Sequence, residues 1–106
     1  MNKKEIRIKF KRDVLNRDGF KCRICGVSDV KLDAHHITDR NDIINGGYVK
    51  ENGITLCDTV NGCHIKAEKY HITDGLEFVE GFHPYQLYDI IMSSKTLAIE
   101  KSKKIK

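Results

Sequence analysis

Cys22-x2-Cys25, His35-His36, Cys57 and Cys63-His64 crowd metal-binding side chains into one stretch, and that crowding limits what the chain can fold into. Thiolates and imidazoles are the side chains that borderline ions such as zinc prefer. Four cysteines and two imidazole sites are more than a packed core of this size uses. Their order also separates them, because the cysteines flank the segment that carries His35, His36 and Asn52. The pattern predicts one closed sulfur site that holds the fold and one open nitrogen site that does chemistry.

A chain of 106 residues makes a single domain spanning 1–106, and without tryptophan its core is small. Domains with thin cores rely on a metal or a disulfide as a staple. No apolar run reaches membrane-spanning length, and the charged N-terminal segment MNKKEIRIKFKR has no apolar signal segment behind it. The expectation is therefore an intracellular, cytoplasmic protein without membrane partners, where Cys-x2-Cys denotes metal binding in preference to a disulfide.

The net charge of +4 conceals a division along the chain. Lys3, Lys4, Arg7, Lys9, Lys11, Arg12 and Arg17 crowd the start; Lys95, Lys101, Lys103, Lys104 and Lys106 crowd the end. The segment between holds seven basic and twelve acidic residues. Basic ends around an acidic centre suit a polyanion gripped at its edges near a cation site.

Periodicity places the elements. Ile6, Phe10 and Val14 predict a helix over 4–17 that stops at Gly19. A metal knuckle follows over 20–27, then a strand over 31–37 ending at the histidine pair. Residues 38–51, with Gly46-Gly47, read as a long loop, and Ile54-Thr55-Leu56 as a second strand. A helix is predicted over 63–71, and a last one from Pro84 to about Lys101 with Leu87, Ile90, Ile91, Ser94, Leu97 and Ala98 on its core-facing stripe. His83 stands at the entry of that helix.

A tetrahedral zinc takes its ligands from two short turns. Cys22 and Cys25 form the usual knuckle; Cys57 and Cys63 form a looser pair, five residues apart, with Asn61-Gly62 to reverse the chain. A structural Zn2+ on these cysteines closes a loop that contains both histidines and Asn52.

The segments A-H-H-I, G-G-Y-V-K-E-N-G-I-T-L-C and C-H-I-K-A-E-K-Y-H, led by R-D-V-L-N-R-D-G-F-K-C-R-I-C-G, resemble the HNH endonuclease family, in its zinc-ribbon branch seen in bacteriophages and bacteria. The resemblance covers about residues 11–72 and leaves the C-terminal helix outside. It implies an α+β fold of the ββα-metal (His-Me finger) type with a four-cysteine zinc ribbon and flanking helices. It also implies a metal-dependent DNA endonuclease, working as a monomer or a homodimer, that hydrolyses phosphodiester bonds with one catalytic metal.

By the same resemblance, His35 and His64 hold the catalytic ion. His36 is the general base that activates water, and the Asn52 side-chain carbonyl orients it. The chain departs from the family in having His-His where Asp-His is common, which removes a hard oxygen ligand. Mn2+, Ni2+ or Co2+ is then expected to serve at least as well as Mg2+. The second cysteine pair is also wider than the family's usual spacing. His64, Glu68 and His71 share one face of the predicted helix, and Glu68 stands where colicin-type nucleases carry a further histidine. His71, Arg40 and Lys66 are candidate phosphate or metal contacts.

Adjacent strand residues point to opposite faces, so His35 and His36 both face one site only if the strand ends or bends, and the polar Thr38-Asp39-Arg40 that follows predicts an ending there. Two other readings compete with the nuclease. One is a non-catalytic zinc ribbon that binds DNA or protein. The other is a compact finger with a single zinc on His35, His36, Cys57 and Cys63.

Overall fold

The computed structural model describes residues 1–105. Helix α1 runs over Lys3–Arg17, opened by the Asn2 side chain, which accepts from the Glu5 N–H at 2.9 Å. Its apolar stripe is set by Phe10 and Val14, both buried. Strands β1 (Leu32–His36) and β2 (Gly53–Cys57) pair antiparallel, with Leu32 opposite Cys57, His35 opposite Ile54 and His36 opposite Gly53. Helix α2 covers Cys63–Ile72, α3 Pro84–Ile90 and α4 Lys95–Ser102. The described residues form a small compact α+β unit with a two-stranded sheet and four helices.

The hairpin lies between α1 and α2, which is why all five β2 residues are buried. On one face, Gly53 meets α1 so closely that an added Cβ would lie 2.5 Å from Val14 Cγ2 and 2.8 Å from the Phe10 ring. On the other face, Ile54 and Leu56 join Ile37, Ala67, Phe82, Leu87, Tyr88 and Ala98 in the core.

Asp18 fastens these layers. Its carboxylate, fully buried, accepts from Arg17 Nε at 2.8 Å, Arg23 Nη1 at 2.7 Å and the Thr55 N–H at 2.9 Å. Arg17 Nη2 continues to the Gly53 carbonyl at 2.6 Å and Arg23 Nη2 to the Ile90 carbonyl at 2.8 Å. One carboxylate thus links α1, the knuckle, β2 and α3.

The long loop contains three 3-10 turns, over 40–42, 44–47 and 50–52. Asn45, Gly46 and Gly47 all have positive φ. The glycines are needed for space as well: a Cβ on Gly46 would lie 2.6 Å from the Tyr48 ring, and one on Gly47 would lie 2.5 Å from Asn52 Nδ2.

The expected single helix from Pro84 to Lys101 is two helices. Met92 adopts φ 57° between them, and the Ser94 hydroxyl accepts from the Leu97 N–H at 3.1 Å to open α4. Ser93 Oγ donates to the Glu51 carbonyl at 2.8 Å. The Ser-Ser pair caps a new helix more favourably than it extends the old one, yet the stripe survives, with Leu87 and Ala98 fully buried. His83 opens α3 as expected, through a capping box with Gln86.

Candidate metal centres and active site

The cysteines converge from both ends of the hairpin. In the knuckle, the Gly26 N–H donates to the Cys22 carbonyl at 2.9 Å, and Gly26 takes the left-handed φ of 78° that closes the turn. In the second turn Asn61, at φ 60°, reverses the chain, and the Cys63 N–H donates to Cys57 Sγ at 3.2 Å. The five-residue spacing is therefore no obstacle. The sulfurs of Cys22, Cys25, Cys57 and Cys63 all lie within 4.8 Å of one another, and Cys25 Sγ and Cys57 Sγ are 3.7 Å apart.

A zinc–sulfur distance of about 2.3 Å in a tetrahedron separates sulfurs by about 3.8 Å. All four thiols are free. Burial tends to raise the Cys22 thiol, but the main-chain N–H groups of Cys25, Ile24 and Cys57 draw it down to about 7. Burial and the neighbouring sulfurs push Cys63 up. Such a set holds its negative charge together only around a cation, and it can hold a structural metal such as zinc.

The second cluster is separate and uses no sulfur. His35 reaches it from β1; His64 and Glu68 reach it from successive turns of α2. One ligand atom from each lies within 4.8 Å of the others. Glu68 Oε1 is 3.2 Å from both His35 Nδ1 and His64 Nε2. The His35 ring is 2 % exposed, and neither nitrogen has a hydrogen-bond partner, so the 3.2 Å approach to Glu68 lacks hydrogen-bond geometry. A buried ring nitrogen without a partner among the described residues, 3.2 Å from a carboxylate oxygen, is costly unless an ion shared with that carboxylate uses it.

Asp58 Oδ1 at 3.4 Å from His64 Nδ1, and Asp33 Oδ2 at 3.5 Å from Nε2, complete the surroundings. Burial keeps His35 below its ordinary pKa, while Glu68 and the aspartates raise His64. His35, followed by His64, holds the Glu68 carboxyl well below the usual range. Two imidazoles and one carboxylate make a donor set that could hold a metal ion.

These two clusters rule out the single-zinc finger on His35, His36, Cys57 and Cys63, because His35 and the cysteines belong to different groups. Glu68 also corrects the expectation that the site lacks a carboxylate. Its position one turn after His64 was legible; its partnership with His35 needed the packing of α2 on the hairpin.

His36 lies on the other face. Its ring stacks on Phe10 at 4.4 Å and meets the edge of Tyr48 at 4.7 Å, both on the α1 side. The strand ends at His36 as expected, but both histidines lie within it and the ending leaves their side chains on opposite faces. Burial, reinforced by the nearby His35, lowers the His36 pKa to about 4, leaving the ring neutral at neutral pH.

Asn52 does not orient that ring. Its Oδ1 accepts from the Thr38 N–H at 2.9 Å and from the Tyr88 hydroxyl at 2.6 Å; its Nδ2 donates to the Thr38 carbonyl at 3.1 Å and the Gly47 carbonyl at 3.2 Å. Every hydrogen-bonding position of the amide is taken. Asn52 fixes the chain leaving His36, through the backbone of Thr38, and leaves the imidazole untouched.

His71 is a clamp and stands outside the ligand trio. Its Nε2 donates to the His36 carbonyl at 2.9 Å and its ring stacks on His35 at 5.2 Å. Lys66 points away, since two residues along a helix is over half a turn from His64, and its ammonium lies 6.0 Å over the Phe82 ring. Arg40 lines a pocket beside Tyr48.

The two basic ends converge. A cleft of about 940 Å³ is lined by Lys9 and Arg17 of α1, Lys50 of the loop, and Lys101 and Lys104 of the C-terminal segment, together with Asp13, which pairs with Lys9, and Glu51. Lys106 lies outside the described residues. Among the described residues no helix is long and apolar enough to cross a membrane.

The class defined by this architecture is a small α+β domain with two groups of side chains able to bind metal. No family model matches the chain, and no curated protein or solved structure matches it either.

Proposed function

We propose that the protein is a metal-dependent DNA endonuclease of the HNH type, with a ββα-metal core braced by a structural zinc on Cys22, Cys25, Cys57 and Cys63. The observation that carries this reading is the pairing of two imidazole environments at the end of one strand. His35, buried, joins the half-buried His64 and Glu68 in a group of metal-type donors, and the next residue, His36, offers a neutral imidazole on the opposite face.

In-line hydrolysis accommodates that division when the phosphodiester lies at the end of β1, where both faces can be reached. The attacking water and the leaving oxygen lie on opposite sides of phosphorus, so a base and a cation must approach a phosphodiester from opposite directions. His36 accepts the proton of the attacking water. His35, His64 and Glu68 hold the ion, which when bound would stabilise charge on the phosphate and leaving oxygen. His71 and Asn52 keep the His36 backbone in place from two sides. In the cleft between the basic ends, Lys50, Lys101 and Lys104 supply backbone phosphate contacts, which set affinity without reading sequence.

The test is nicking of supercoiled plasmid by the wild type, His36→Ala and His64→Ala across Mg2+, Mn2+, Co2+, Ni2+ and Zn2+. His36→Ala is expected to keep DNA and metal binding and lose about 10²–10⁴-fold in rate. His64→Ala is expected to lose metal affinity, with partial rescue by excess ion. Full cutting by His36→Ala removes the base assignment. Absence of cutting by the wild type with every ion leaves the zinc-ribbon binding module as the better reading.

A further inference from the structure

A second pocket, of about 470 Å³, opens between the first two turns of α1 and the long loop, on the His36 side of the hairpin. Lys3, Arg7, Arg40, Asn41, Asn45 and Tyr48 line it. No carboxylate is among its described lining residues, and among the described residues Lys3, Arg7 and Arg40 form no ion pair. Asp39, close in sequence, is 3.3 Å from Asn41 Nδ2 and does not line the pocket. Three converging cations without a counter-charge repel one another, and a bound anion relieves that repulsion.

The pocket is also built. Tyr48 forms its floor, packed over Gly46, whose missing Cβ makes room for the ring. Asn45 is anchored to α4 by Nδ2 donating to the Ser102 carbonyl at 3.0 Å. The Arg7 guanidinium lies 6.0 Å from the Tyr48 ring centre. Burial tends to raise the Tyr48 phenol, but Arg40 and Arg7 beside its oxygen outweigh burial and lower it. The same Tyr48 ring meets His36 at 4.7 Å, so an anion in the pocket is separated from the His36 imidazole by one aromatic side chain.

From this geometry we infer that Lys3, Arg7, Arg40 and Tyr48 form a phosphate subsite that holds a non-scissile phosphate of the substrate strand on the His36 side of the hairpin. The inference rests on the nuclease reading for its substrate. Guanidinium groups bind phosphate by forked hydrogen bonds, the Tyr48 hydroxyl donates one more, and the Asn41 and Asn45 amides supply neutral donors. The phosphate is either an internal phosphodiester, with two non-bridging oxygens, or a terminal monoester, with three; both offer oxygens that accept from guanidinium groups.

The experiment is fluorescence anisotropy of a labelled single-stranded oligonucleotide, with and without a 5′-phosphate, in the absence of added divalent ion. It compares the wild type with Arg7→Ala/Arg40→Ala, Arg7→Lys/Arg40→Lys, and a control, Lys69→Ala, on α2. The alanine pair is expected to weaken binding about ten-fold and to flatten the log–log salt dependence by about one, as loss of one to two phosphate contacts requires. The lysine pair is expected to recover the salt slope with lower affinity, and the control to behave as wild type.

A wild-type preference for the 5′-phosphorylated strand that vanishes in the alanine pair identifies a terminal monoester. Equal weakening for both strands identifies an internal phosphodiester. Unchanged affinity and salt slope in the alanine pair, with circular dichroism and zinc content unaltered, overturns the subsite. The readout involves no cleavage, so a wild type that binds through this pocket but cuts nothing overturns the nuclease reading and leaves the pocket standing.

Discussion

His71 Nε2 donates to the main-chain carbonyl of His36 at 2.9 Å, so α2 holds the last residue of β1 by its backbone while the His36 side chain faces α1. A carbonyl only accepts, which fixes the His71 proton on Nε2. His71→Ala is expected to lower kcat for cleavage about ten-fold, with KM and catalytic-metal affinity unchanged. His71→Gln, which keeps a donor, should recover part of the rate. A change confined to thermal stability, with kcat intact, contradicts the positioning role.

Asn52 acts on the loop, and its loss is expected to register first as stability. Asn52→Ala leaves the Thr38 N–H and the Thr38 carbonyl unpaired in the interior, at about 1–3 kcal/mol for each uncompensated group. Urea unfolding should show a total loss of about 3 kcal/mol. A stable Asn52→Ala protein with a severe rate defect would return Asn52 to direct action on the imidazole.

Glu68 bears on ion choice. Two imidazoles alone favour softer ions, and the carboxylate supplies the oxygen that Mg2+ prefers. Glu68→Gln is expected to weaken binding at this site by at least about 10-fold and to cost Mg2+-supported activity more than Co2+- or Ni2+-supported activity. Calorimetric titration of each ion into the zinc-loaded protein measures this. Equal losses for all ions would show that Glu68 only orients the histidines.

Cys25→Ser breaks the sulfur cluster at its exposed member. Release of one zinc per chain, read by a colorimetric chelator, is expected together with broadened thermal unfolding, because binding free energy at such a site is folding free energy. Wild-type protein purified under reducing conditions without zinc, yet folded, would refute the staple.

Asp18 predicts an acid-sensitive difference. Burial works to raise its pKa, but Arg17, the Thr55 N–H and Arg23 outweigh it, so the folded value lies below the ordinary 3.8. A depressed carboxyl contributes stability that is present above the unfolded pKa and lost as pH falls through the folded one. Asp18→Asn is expected to cost about 3 kcal/mol at neutral pH, the low end for a broken buried pair, because both guanidinium groups keep access to water. Urea melts of wild type and variant should converge below pH 3.8; a gap that stays constant with pH would deny the linkage.

Residues close in the chain carried most of what could be read in advance. The α1 stripe, the Gly26 and Asn61 turns, the His83 entry to α3 and the order of the ligands follow from spacings of two to five residues, and local backbone geometry obeys those spacings. The same logic, period two in a strand, raised the conflict over His35 and His36, but the expected resolution, a strand ending that lets both face one site, is not what the packing gives.

Only the tertiary structure decided what each of them faces. His35 meets Glu68 from thirty-three positions away in the chain and His36 meets Phe10 and Tyr48. Asn52 spends its amide on Thr38, Gly47 and Tyr88. The break at Met92 and the meeting of the basic ends also depend on distant partners, Glu51 for Ser93 and Ser102 for Asn45. Such contacts form because buried polar groups must find partners wherever packing brings them, and no short spacing records which ones they find.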